Sequence, residues 1–294
     1  MALPPGASVD RKARARRQLT LRRMDATGLP QVFLILLIEV AVGSLWALWW
    51  TQMRGLVPWS FLKFGAFLIA ALACLALVVA LQMSFPEAVG SYPLRERMAS
   101  PLRATLMAYL ALTVVYALAM ARQRPSSRYA GVLASLLGLG VVGIAAALLD
   151  RPLWSYMGGF LALGVGALVV GGAVMGMILG HWYLVTPRMS QQPLKELVIL
   201  LLGSMALQGV VTVLALALPH DPIAGDGDVK GNPFLWLKVA GGMALPMIFA
   251  YMAYESSAIR AMQSATGLLY IVMVLVLAGE VVGKSLLLST GAAL

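Results

Sequence analysis

Eight stretches of the chain are each apolar enough and long enough to cross a bilayer, and that feature limits the fold more than any other. They cover about 31–53, 57–84, 101–121, 128–149, 156–186, 193–218, 233–256 and 264–290. Roughly 20 consecutive apolar residues in a helix span the hydrocarbon core. Composition agrees. The chain is 61% hydrophobic and only 12% charged, with a mean hydropathy of +0.86. A soluble domain so composed would have too little polar surface to face water. A membrane β-barrel would read as alternating ten-residue strands, and none are present. The expected fold is therefore all-α: a polytopic integral membrane bundle of about eight helices, set in a bacterial inner membrane.

The expected organisation is a basic tail over 1–29 followed by the bundle over 30–294. Residues 10–25, DRKARARRQLTLRRMD, hold seven of the 22 Lys and Arg. A basic run just before a first span is a topogenic signal and a contact for anionic lipid, and it is read so here in preference to a nucleic-acid arm. The apolar stretch behind it is too long for a signal-peptide core and lacks a small-residue cleavage site. Beyond the tail, Lys and Arg divide almost evenly between the two sides, so the tail alone puts the N-terminus in the cytoplasm. Eight crossings bring the C-terminus back to the same side. The connections are mostly short, so consecutive spans form antiparallel hairpins. No internal repeat is visible. All seven tryptophans fall at or near span ends, where an amphipathic ring is most stable.

Small residues suggest how the helices pack. In the fifth span, GGFLALGVGALVVGGAVMGMILGHWY, Gly172, Gly176 and Gly180 recur every fourth residue and share one face. The fourth span is also rich in glycine and alanine, so close packing of spans four and five is expected. Pro246 in the seventh span removes an amide donor and should bend the helix near Gly242. The single cysteine, Cys74, reads as a small packing residue.

Ionisable and polar groups inside apolar runs are costly and must find partners. Glu39 lies well inside the first span. Gln208 is the centre of a stripe with Ser204 and Thr212 in the sixth. Tyr109, Thr113 and Tyr116 share a face of the third. Glu280 precedes Lys284 by one turn in the eighth, a spacing suited to an ion pair.

A second group gathers at the opposite membrane face. His181, Tyr183 and Arg188 end the fifth span, and Tyr251 and Glu255 end the seventh. Were those spans adjacent, imidazole and phenol donors beside a carboxylate would suit a quinone head group, whose carbonyls need donors and whose quinol must release protons. An internal bis-histidine haem is excluded, because the only other histidine, His220, lies in the polar loop LPHDPIAG. No other cofactor is indicated. Asp221, Asp226 and Asp228 in that loop lack the spacing of a calcium-binding EF-hand, and no metal site is expected. No phosphate-binding loop, zinc-protease, serine-hydrolase or prenyl-diphosphate motif is present.

Three functions fit this sequence, in this order of preference. One is a membrane subunit of an electron-transfer assembly that contributes to a quinone site and works with other membrane subunits. Another is a proton-coupled or ion transporter built on Glu39 and the Gln208 stripe. The third is a membrane scaffold with no chemistry of its own.

Overall fold

The computed structural model describes residues 28–89, 92–149, 153–186, 188–217 and 231–290. The basic tail and most of the aspartate loop lie outside these residues. Among the described residues, eight helices are long and apolar enough to cross a membrane: α1 (Leu29–Arg54), α2 (Trp59–Gln82), α3 (Ala99–Ala121), α4 (Ser127–Leu148), α5 (Leu153–Val185), α6 (Gln192–Ala217), α7 (Pro233–Ala258) and α8 (Met262–Thr290). The protein is an all-α polytopic bundle. Large apolar side chains such as Phe33, Phe64, Phe67, Val115 and Val274 stay exposed on its periphery, as a lipid-facing surface requires, while each helix satisfies its own backbone.

Local sequence sets the helix ends. Pro30 occupies the first turn of α1, where its missing amide costs nothing. Gly55 closes α1 with φ +66°, its amide donating to the Gln52 carbonyl, a left-handed cap that favours glycine. Pro58 holds extended backbone immediately before α2. Arg103 of α3 reaches back and donates to the carbonyls of Ala80 and Met83, both at 2.8 Å, capping the C-terminal end of α2.

One face of the bundle gathers both described ends. A side chain at Gly28 would meet Val89 and Leu288. Here the α2–α3 connection forms a two-strand antiparallel hairpin, β1 (Ala88–Val89) with β2 (Tyr92–Pro93), and Arg95 donates its amide to the Leu148 carbonyl at 2.8 Å. This is termed the near face. On the far face Arg54 forms a two-pronged bond with Glu196, both contacts 2.7 Å, which ties the end of α1 to the start of α6.

Helices α1 and α5 form the centre. Buried residues make up 72% of the apolar window of α1 and 67% of that of α5, against 33–44% in the other six. Their backbones touch. A Cβ placed on Gly43 would fall 1.7 Å from the Ala167 carbonyl oxygen, and one on Gly171 would fall 1.9 Å from the Gly43 carbonyl carbon. Helices α4 and α5 do pack on each other, but the expectation that theirs is the tight contact is corrected, because the close backbone approach of α5 is to α1. Gly143 of α4 meets the Tyr156 hydroxyl and the Phe160 ring instead of backbone, and Gly131 and Gly138 make room for Trp49 and Val42 of α1 and for Tyr116 and Tyr109 of α3. The stripe of Gly172, Gly176 and Gly180 faces Leu201 of α6 and Leu269 and Thr266 of α8 at ordinary to slightly tight distances of 3.1–3.8 Å. Cys74 is likewise corrected: it lies on the exposed side of α2 and not in the core.

Helix α7 is composite. It is α-helical over Pro233–Leu237, π-helical over Lys238–Ala244 and α-helical again over Leu245–Ala258. The Leu245 amide reaches the Ala240 carbonyl five residues back. Pro246, in the first turn of the last segment, has no amide to give, and the widened turn immediately before it absorbs the break.

Candidate functional site: a buried charged cluster

Two of the costliest residues in the sequence, Glu280 and Lys284, are neighbours on α8, with Lys284 Nζ 2.7 Å from Glu280 Oε2. The same ammonium stands 2.8 Å from Glu39 Oε1 of α1. Across α8, Lys238 Nζ of α7 lies 3.3 Å from Glu280 Oε1, and the Gln208 amide of α6 donates to that same oxygen. Four helices thus deliver two carboxylates, two ammonium groups and one amide to a single buried place. Neither lysine is exposed at all, and Glu39 and Glu280 are 1% and 2% exposed. The formal charges cancel.

Backbone geometry makes this arrangement possible. Gly242 and Gly279 meet where α7 crosses α8, and a Cβ on either would fall within about 2.5 Å of the other's Cα. That contact lies one helical turn from Lys238 on α7 and next to Glu280 on α8, so it brings their side chains together. Gly283 leaves space for the Lys238 side chain, since a Cβ there would fall 2.4 Å from Nζ. Gly166 of α5 does the same for the acids: its Cβ would stand 2.6 Å from Glu39 Oε1 and 3.1 Å from Glu280 Oε2. The π-helical segment begins at Lys238 itself, and such segments occur often at functional sites.

The two carboxylates are not equivalent. Glu280 has both oxygens engaged, one by Lys238 and Gln208, the other by Lys284. Glu39 has a single contact, Lys284 at Oε1, and its other oxygen, Oε2, has no hydrogen-bond partner among the described residues. A buried polar atom left so is costly.

Of the residues singled out in the sequence, Glu39, Gln208, Glu280 and Lys284 come together here. Ser204 bonds the Leu200 carbonyl in its own helix and Thr212 points to Met243, so only Gln208 of that stripe enters the cluster. Lys238 was not anticipated. Five residues into its span, it resembles a lysine extending to the head groups. Its signal was the start of the helix at Pro233, which places it a full turn inside. The face of α3 serves a separate network: Tyr109 donates to the Ala41 carbonyl at 3.1 Å, Tyr116 to Gln52 Oε1 at 3.0 Å, and Gln52 to Ser127 at 2.8 Å.

The far-face residues are dispersed. His181 is exposed and its Nδ1 lies 3.4 Å from the Tyr270 hydroxyl of α8. Tyr183 is buried, its hydroxyl donating to the Ser190 carbonyl. Tyr251 pairs with Glu255 one turn along the outer surface of α7, and Arg188 is exposed. Helix α7 packs on α6 and α8, whereas α5 packs on α1, α4, α6 and α8, so the two sets sit on helices that α6 and α8 separate. No group of three His, Cys, Asp or Glu side chains suited to a metal occurs among the described residues.

Comparison with protein-family models, curated proteins and solved structures returns no match.

Proposed function

We propose that this chain is a proton-coupled or ion transporter of the bacterial inner membrane, with its near face toward the cytoplasm, and that the cluster of Glu39, Gln208, Lys238, Glu280 and Lys284 handles the moving charge. The supporting observation is the burial at membrane depth of four ionisable side chains joined by successive ion pairs. Helix positions put them roughly 8–15 Å from the near ends of their helices, at about 1.5 Å per residue. Removing such charges from water costs several kcal/mol each, by about the estimate for buried ion pairs, and well-packed apolar residues often serve stability as well or better. Ionisable groups held at this depth commonly mark ion and proton pathways. The orientation rests on the basic tail that precedes α1.

Reconstitution tests the reading. In proteoliposomes given a potassium diffusion potential with valinomycin, the purified protein is expected to pass protons or an alkali cation faster than protein-free liposomes. Glu280→Gln is expected to reduce that flux. Wild-type flux equal to the protein-free control for every ion tried contradicts the reading.

A role in electron transfer draws support from one contact, the His181–Tyr270 pair, which offers imidazole and phenol at the exposed surface. Its test is the effect of His181→Ala on quinol turnover by any assembly that co-purifies with the chain. Unchanged turnover removes it.

A further inference from the structure

We infer that the ion taken up by the cluster is a proton, that its acceptor is the Glu39 carboxylate, and that its arrival releases the Lys284 tie between α1 and α8. The inference rests on the transport reading and names the ion for that site.

A metal cation would need several oxygen ligands. The cluster offers two carboxylates, each already facing an ammonium group at 2.7–3.3 Å, and a cation entering between them would meet Lys238 and Lys284 at close range. A proton has no such requirement. It needs one uncovered lone pair, and Glu39 has one: Oε2 is buried and has no hydrogen-bond partner among the described residues. Glu280 is a poorer acceptor because three donors already hold its two oxygens.

The charged groups acting on Glu39 are Lys284 and Glu280 from α8 and Lys238 from α7. Helix α5 presents Gly166 at this point, and Gln208 of α6 is uncharged. With Glu39 ionised, two negative charges balance two positive ones. When a proton binds Glu39 Oε2, the Glu39–Lys284 attraction is lost and the cluster carries one excess positive charge. Lys284 then keeps Glu280 alone, within its own helix, and α1 loses its ionic contact with α8. Loss of the proton restores that contact. Uptake is thereby coupled to the fit of one of the two central helices against the helix that carries the cluster's ion pair.

Infrared difference spectroscopy of the intact chain in nanodiscs, titrated with pH, reads this without a known substrate. The carbonyl stretch of a protonated carboxylic acid is expected to appear reversibly, to vanish in Glu39→Gln, to shift in frequency in Glu39→Asp, and to persist in Glu280→Gln. Exchanging choline for sodium is expected to leave it unmoved. A band absent from the wild type, or one that survives Glu39→Gln, overturns the assignment to Glu39. A band removed by sodium overturns the choice of proton over metal cation. Should Glu39→Gln fail to fold, the wild-type titration with and without sodium and the Glu39→Asp shift still decide. Outcomes also separate from those of the transport reading: a Glu39 band without ion flux sustains protonation but refutes transport, whereas sodium-dependent flux without the band sustains transport and refutes the proton.

Discussion

Lys284 holds two acids from two helices and is fully buried. Cutting it back to an apolar residue leaves Glu39 and Glu280 facing each other with only Lys238 to offset them. Breaking a buried ion pair from one side typically costs about 3–5 kcal/mol, so Lys284→Met is expected to lower the thermal unfolding temperature of the purified protein strongly. Adding Glu39→Gln to that variant restores formal neutrality. The double variant should then be less destabilised than the sum of the two single changes, with a coupling of about 1–3 kcal/mol in a double-mutant cycle. Additive losses would mean that the two groups do not share a site. At this scale the sequence was informative in part. Glu39, Gln208, Glu280 and Lys284 stood out because charge and amide inside apolar runs are expensive. The same logic could not show that they meet, since one sequence does not reveal which helices are neighbours. The asymmetry between Glu39 and Glu280, which decides the chemistry, exists only in the geometry of their partners.

Among the helices, contacts depend on single glycines more than on repeated motifs. Gly43→Ala should disrupt folding, since its Cβ would meet Ala167 backbone that cannot turn aside. Gly172→Ala and Gly176→Ala meet only side-chain atoms at 3.4 Å or more, with backbone no nearer than 3.7 Å, and should shift stability little. Overpacking in a closed core costs about 1–3 kcal/mol, and more where backbone must move. Comparing monodispersity and unfolding temperature across the three variants checks this ordering. The sequence showed the Gly172 stripe because it repeats. It hid Gly171 and Gly43, which make the closer approach, because Gly43 is the one glycine of α1 and Gly171 stands beside the Gly172 stripe and off its face. The discontinuity of α7 was visible through Pro246, whereas the π-helical turn before it was not. Deleting Val239 should turn that segment into plain α-helix and rotate Lys238 by about 100°. Lys238 would then leave Glu280, and ion flux should fall while the bundle still assembles. Unaltered flux would separate the π-helical turn from function.

For the molecule as a whole, the number of spans and their limits were legible to within a few residues. Hydropathy acts on each segment separately and needs no knowledge of neighbours. The order of packing was not legible, because nothing in the seventh span states that it lies behind α6 and α8 and away from α5. The far-face residues His181, Tyr183, Arg188, Tyr251 and Glu255 are near one another in depth yet belong to separate contacts for that reason. The orientation proposed from the basic tail has its own test. In a Cys74→Ser background, a cysteine at Arg124 on the far face should react with a membrane-impermeant maleimide in intact cells, and one at Pro93 on the near face should not. The reverse pattern would invert the molecule.

The most direct measurement compares potential-driven proton uptake by wild type and Glu39→Gln in liposomes of equal protein content and unfolding temperature. A positioned proton acceptor commonly contributes a factor of about 10²–10⁴ to a rate, and at least tenfold slower uptake by the variant is the predicted result. Equal rates would show that charge crosses without Glu39 and would contradict the role assigned to the buried cluster.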